Sequence, residues 1–257
     1  MQISNFMMKM YKNLFYLAAL AVILWSCGQQ KSTKQTTTTD STGIQTVNVP
    51  ATSDTPIDTL ELAGKTYLIY TIDSMVFESF KLQPQDTSET LALAKDSTVK
   101  RSGNTLQFKL QNGKTTTLTD KDDDAENEGD FVHFAYLSDY PEINSKGIVA
   151  YYYESQDFLL LNTLTGDTLH LWTEPIFSPD KKQILCASMD LVAAFMPNGF
   201  QLFNIEKDSI RYVGETNLEK WGPTETKWVD TKTILCRYIS IDDEGTTKSL
   251  HVKMVQQ

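Results

Sequence analysis

The chain has 257 residues, with 23 Lys and Arg against 33 Asp and Glu and a net charge of −10. That acidity argues against nucleic acid as a partner, because such affinity rests on Lys and Arg neutralising phosphates. It argues equally against docking by charge on an anionic lipid surface, and the simplest meaning of the charge is solubility.

Lys9 and Lys12 precede an apolar run over residues 14–25. The run has the length of a signal-peptide core and falls short of the roughly 20 residues a membrane-spanning helix needs. Ser26 then stands directly before Cys27. The stretch Leu24-Trp25-Ser26-Cys27 resembles a bacterial lipobox, with Trp25 where such signals carry a smaller side chain. The resemblance implies cleavage before Cys27 and acylation of its thiol by palmitate-type chains, so that the membrane becomes a partner. Several chains make such anchoring stable where one is marginal. Cleavage removes two lysines and no acid, taking the mature charge near −12. No acidic export signal follows Cys27 in Gly28-Gln29-Gln30-Lys31, which favours a periplasm-facing location. Residues 28–56 hold 12 Ser or Thr among 29 positions. Such a segment reads as a disordered tether, with a mean reach of about 30 Å.

The remainder, residues 57–257, suffices for one all-β domain or two small ones. It divides into an N-terminal β-rich segment over 57–130 and a repetitive part over 131–257. A β-branched and aromatic run covers 65–72. Asp73 and Ser74 are placed to N-cap a short helix over 75–81, and 86–95 fits helix and strand equally. Alternation over 105–110, then Asn112-Gly113, then 115–119 is the strongest hairpin signal. Further strands are expected at 131–137, 147–154, 158–163, 168–172, 183–188, 191–196, 200–205, 209–213, 226–229, 233–240 and 248–255. Turn residues separate them at the spacing of a sandwich, barrel or propeller.

An internal repeat bears on that choice. Asp180, Lys182, Ile184, Leu185 and Cys186 recur as Asp230, Lys232, Ile234, Leu235 and Cys236, and Lys146 and Ile148 form a looser copy. Phe158, Leu160 and Asn162 likewise match Phe200, Leu202 and Asn204. Phe177-Ser178-Pro179-Asp180-Lys181-Lys182 resembles the turn that opens blades in WD-like propellers of the Tol type, with Lys181 where that family has glycine. The resemblance implies antiparallel sheets in a small or partial β-propeller-like arrangement; a β-sandwich is the alternative. A closed propeller needs at least four blades, and residues 60–120 must then supply the first. Cys186 and Cys236 fall in equivalent strands of two repeats, so buried free thiols are expected rather than a disulfide.

No catalytic constellation stands out. Read from Asp120, the acidic run over 120–130 has Ala125 and Phe131 where an EF-hand loop needs Gly and Glu; read from Asp124, Gly129 fits but Ala135 stands at position 12, so a solvated acidic loop is expected. His133, His170 and His251 are scattered along predicted strands. His-Glu-x-x-His and Gly-x-Ser-x-Gly are both missing. Glu142, Glu154, Asp157, Glu174 and Asp190 lie near strand ends, where a glycosidase pair would need a defined separation. Neither a cofactor nor a metal is expected. The aromatic residues are more specific. Trp172, Trp221 and Trp228 fall near blade junctions, Trp221 on an expected exposed loop, and one of Tyr151, Tyr152 and Tyr153 must face outward. Trp221, Trp228 and Tyr152 are the candidate binding residues.

These readings lead to a lipid-anchored, non-catalytic binding or scaffolding protein of the bacterial cell envelope with a protein partner. One alternative is a glycan-binding or glycan-hydrolysing lipoprotein. Another is a protective inhibitor that meets a toxin or hydrolase with its acidic face.

Overall fold

The computed structural model describes residues 37–39, 45–81, 88–122, 131–207 and 209–257. Cys27 and the lipobox-like stretch before it, and residues 123–130 of the acidic run, lie outside them. Strands β1 (Thr37–Thr39) and β2 (Gln45–Val47) form a two-stranded ribbon. β3 (Asp58–Leu62) and β4 (Lys65–Thr71) make a hairpin. Helices α1 (Ser74–Ser79) and α2 (Glu89–Lys95) follow. The first sheet then runs through β5 (Val99–Ser102), β6 (Thr105–Lys109) and β7 (Thr115–Thr119). The second is built from β8 (His133–Tyr140), β9 (Ser145–Tyr151), β10 (Gln156–Asn162) and β11 (Thr168–Leu171). The third contains β12 (Ile176–Phe177), β13 (Gln183–Ser188), β14 (Gly199–Ile205) and β15 (Ile210–Asn217). The fourth starts with β16 (Trp221–Trp228), β17 (Thr233–Ile241) and β18 (Thr247–Gln256), and β4 and β3 complete it in the order β16-β17-β18-β4-β3.

The molecule is therefore mostly β, with antiparallel sheets. The sheets pack face to face in chain order. Leu106 and Phe108 meet Ile148 and Leu161 between the first and second. Val149 and Phe158 meet Ile184 and Phe203 between the second and third. Leu185 and Phe200 meet Trp221 and Cys236 between the third and fourth. Successive side chains point to opposite faces of a strand. A sheet with neighbours on both sides thus needs an unbroken apolar run, and residues 145–150 are all buried. β6 and β7 instead alternate buried and exposed positions. Their outer face carries exposed Gln107, Lys109 and Thr117, so the stack ends there. At its other end Leu235 is covered by Val49, Ile72 and Phe77. Among the described residues none of the sheets closes into a barrel or propeller.

The repeat is visible as geometry. Asp180 Oδ1 accepts from Lys182 N at 3.2 Å, and Asp230 Oδ1 accepts from Lys232 N at 2.8 Å, each just before the second strand of its sheet. Ser178 Oγ donates to Asp180 Oδ1 at 2.7 Å and accepts from Gln183 N at 3.0 Å. Lys181 takes φ +58, the left-handed conformation that explains why glycine suits this position. Cys186 and Cys236 are free and buried, as expected, and lie in different seams.

Two expectations are corrected and one open reading is resolved. Residues 45–56 are not free tether: Val47 N donates to Asp230 Oδ2 at 3.0 Å, Val49 is buried, and Lys253 Nζ donates to Val49 O at 2.6 Å. The ambiguous stretch 86–95 contains α2, held by Arg101, whose guanidinium meets both Glu89 carboxylate oxygens at 2.5 and 2.9 Å and Asp120 at 3.0 Å. Residues 191–196 form no strand. The Asp190 carboxylate captures their backbone, accepting from Val192, Ala193, Phe195 and Met196 at 2.8–3.3 Å. Those N–H groups, led by that of Met196, hold the carboxyl down to about 2.

Lys146 is buried, with its ammonium 2.5 Å from Asp96 and 3.0 Å from Asp139. Burial pushes the Asp96 carboxyl up, but bonds from Lys146, Thr98 and Tyr136 outweigh it and leave the carboxyl at about 2, below its ordinary 3.8. A depressed carboxylate stabilises the fold above its unfolded pKa and loses that contribution as pH falls through the folded one. Urea denaturation should therefore show a loss of stability between about pH 4 and about pH 2. Lys146→Met should cost about 3 kcal/mol at neutral pH by stranding Asp96, and should shrink the acid loss.

Candidate functional site

A recess lies at the edge where the third and fourth sheets meet. It is a cleft of about 490 Å3, lined in part by Glu174, Phe177 and Lys181 on one side and by Thr226, Lys227 and Trp228 on the other. That volume falls within the range of small-molecule sites. A smaller recess of about 240 Å3 between loop ends of the second and third sheets has no aromatic lining.

The cleft exists because β16 is an edge strand. Pro223, which lacks an N–H, is tolerated there, and the pairing with β17 slips between Thr224 and Lys227. Glu225 sits in that bulge at φ +44 and pairs with Arg237 at 2.9 Å. The slip aims neighbouring side chains to different faces. Trp228 turns to the third sheet, where its indole N–H donates to Ile176 O at 3.2 Å. Lys227 turns to α1, where its ammonium donates to Phe77 O at 3.2 Å and lies 3.7 Å from the Phe77 ring centre. Burial lowers the Lys227 pKa against the pull of Glu78 and Glu225.

Across the cleft, Lys181 stands 4.9 Å over the Phe177 ring. Burial raises the Glu174 carboxyl although Tyr140 donates to it at 3.0 Å. The Thr226 hydroxyl is buried and has no partner among the described residues. The cleft thus combines a fixed indole, the Glu174 and Glu225 carboxyls and lysine ammonium groups. Such a set can orient a small polar ligand with an apolar face.

The sequence-predicted trio is not brought together. Trp221 is the main correction: it is 3 % exposed, inside β16 rather than on a loop, stacked on Tyr238 at 4.3 Å and edge-on to Phe200. The apolar environment of the third and fourth sheets claims the ring, and Gly222 beside it admits Met189 and Asn198, whose atoms a Cβ would meet at 2.3 and 2.4 Å. Tyr152 is half-buried against the seam of the first and second sheets, away from the cleft. Its neighbours Tyr151 and Tyr153 face outward. Trp228 alone lines the cleft.

Among the five candidate acids, Glu174 alone lines it. Asp157 pairs with His170 at 2.8 Å, Asp190 holds its own loop, Glu154 stands exposed in a turn, and Glu142 lines the smaller recess. His133 pairs with Asp120 at 2.9 Å, and His251 lies 4.7 Å from the Phe77 ring. Among the described residues, no three His, Cys, Asp or Glu side chains gather to hold a metal ion. Lys227 and Thr226 escaped sequence reading. Their signal, the broken alternation over 224–227, is legible only once the bulge is known.

No family model matches the chain, and neither a curated protein nor a solved structure matches it.

Trp221 is a core residue, and Trp221→Ala should lower stability by about 3–5 kcal/mol. Urea denaturation followed by circular dichroism measures this. A variant as stable as the native chain would return the ring to the surface.

Proposed function

We propose that the chain is a lipid-anchored, non-catalytic binding or scaffolding protein of the bacterial cell envelope, acylated at Cys27 and facing the periplasm. The observation that carries this reading is the leader: Lys9, Lys12, the apolar run over 14–25, and Ser26 before Cys27. Among the described residues no helix is long and apolar enough to cross a membrane; attachment is assigned to acyl chains on Cys27 because the apolar run over 14–25 is shorter than a membrane-spanning helix. We read the sheets as propeller-like blades. Equivalent Asp turns before β13 and β17, and the left-handed Lys181 at the position of the Tol-type glycine, support this. Folds of this kind host unrelated activities, so the reading adds no chemistry.

In cells fed an alkynyl palmitate analogue, the full chain should take label and pellet with membranes. Cys27→Ser should lose both. Label retained by the variant would overturn acylation at Cys27.

Glycan binding in the cleft is a second reading, favoured by Trp228, whose indole is fixed beside Glu174 and Lys181. Sugar rings stack on such faces, and polar neighbours orient their hydroxyls. Affinity electrophoresis through gels carrying envelope or dietary polysaccharides tests it. Retention by a binding polysaccharide should fall about tenfold in Trp228→Ala, and unchanged retention ends this reading.

A further inference from the structure

We infer that the connection between β13 and β14 is a preformed docking tip for a partner protein whose apolar pocket is rimmed by Lys and Arg. Val192 is 81 % exposed, Phe195 52 % and Met189 41 %. The adjoining β9–β10 turn adds Tyr153 at 71 %. The two turns touch, because Gln156 N donates to Met196 Sδ at 3.2 Å. Single exposed apolar side chains are ordinary, whereas a contiguous group of them marks an interaction site.

The tip is rigid by construction. Four backbone N–H groups of the loop end on the Asp190 carboxylate. Asn198 accepts from Asp190 N at 3.2 Å, and its amide donates to Leu218 O at 2.7 Å and Trp221 O at 2.9 Å. These N–H groups are satisfied before any partner arrives, so covering the loop strands none of them. Pre-ordering likewise reduces the entropy lost on binding.

Charge selects the occupant. Asn198 and Met189 lie against Trp221 and Gly222, which pair with Ser240 and Ile239. The β17–β18 turn, with exposed Asp243 and Glu244, therefore shares this end of the stack. Glu154 is exposed in a neighbouring turn; Glu219 is offset by exposed Lys220 and Asp242 by Lys248 at 3.2 Å, which leaves Glu154, Asp243 and Glu244 as the unoffset charges. An apolar centre within acidic turns favours a basic-rimmed protein pocket and repels both a second copy of this chain and an anionic bilayer.

Position adds a direction. Val47 joins the fold at Asp230, before β17 begins, whereas the tip lies where β17 ends. The nine residues of β17 set these points roughly 30 Å apart. This direction, away from the anchoring bilayer, rests on the lipid-anchor reading; docking itself rests on the loop.

The test places the photocrosslinker benzoylphenylalanine at position 192 of the full chain in cells, with position 212 as control. The expected result is a discrete protein adduct whose crosslinked segment is apolar and flanked by Lys or Arg. Phe195→Ser should cut its yield about tenfold. Combined Glu154→Lys, Asp243→Lys and Glu244→Lys should cut it roughly threefold. Unchanged thermal unfolding of these surface variants shows that the fold is intact. Lipid adducts alone, self-adducts alone, or no adduct above the position 212 control would overturn the inference. Cys27→Ser separates the two readings: a tip adduct persisting in a soluble Cys27→Ser chain keeps both, and a variant still labelled and membrane-bound removes only the anchor.

Discussion

Ile184 and Leu185 are neighbours in sequence and belong to different cores. The same division separates Ile148 from Val149 and Ile234 from Leu235. An internal sheet buried on both faces offers a polar side chain no solvent at either parity, so its buried polar groups are bonded, as Lys146 is to Asp96 and Asp139 and as Gln201 is to Trp172 N, and its strands must keep register with two neighbours together. A one-residue slip would exchange the two sets, placing the bulk of Phe158 and Leu160 against the first sheet rather than the third. This constraint accounts for the repeat. β13 and β17 face the same packing problem, each dividing neighbouring side chains between two cores, and the Asp turn before each sets where its apolar run begins.

Stacking of this kind must be stopped at both ends. The first sheet stops it with chemistry, since Thr, Gln and Lys occupy its outer face. The fourth stops it with covering groups. Phe77 from α1 and Val49 from the incoming chain lie over Leu235, and Lys227 snorkels across the Phe77 ring. The fourth sheet also recruits β4 and β3, so the beginning and end of the described fold are zipped together along Val252–Gln256 and Tyr67–Thr71. Unfolding the last sheet therefore requires parting segments far apart in sequence, and such non-local pairing slows folding.

Much of this was legible in advance, for local reasons. Asn112-Gly113 marked the β6–β7 hairpin, with Gly113 at φ +83. Asp73 marked α1, where its carboxylate accepts from Met75 N at 2.7 Å. The misreadings have other causes. Trp221-Gly222-Pro223 carries turn residues, yet it lies in a strand because Pro223 is on a sheet edge and Gly222 makes room for Asn198. Residues 191–196 carry strand residues, yet they loop because one carboxylate takes their N–H groups. Arg101 reaches Glu89, Asp120 and Phe134 O, partners 12 to 33 residues away. For Trp221 and α2 a partner distant in sequence decides, outside any window of neighbours; for 191–196 the deciding carboxylate is the adjacent Asp190, whose local bonds compete with the strand that the residue types favour. The cleft followed the same pattern: Trp228 was visible as a residue type, while Lys227 and Thr226 depended on the bulge.

The misread loop is also the clearest break in the rule that governs the stack. In β9, β10, β13, β14 and β17 the apolar run is spent on the seams. At 191–196 the run is turned outward, and Asp190 and Asn198 supply the hydrogen bonds that a neighbouring strand would have supplied. Had this segment extended β13, its apolar side chains would have lengthened the seams and its backbone would have needed a partner ladder. The loop reaches the same internal satisfaction of its N–H groups with its hydrophobic surface left over. That surplus lies at the end of the stack remote from Asp230, where the incoming chain first bonds to the fold. The leftover apolar surface and the entry of the chain at Asp230 therefore lie at opposite ends of β17.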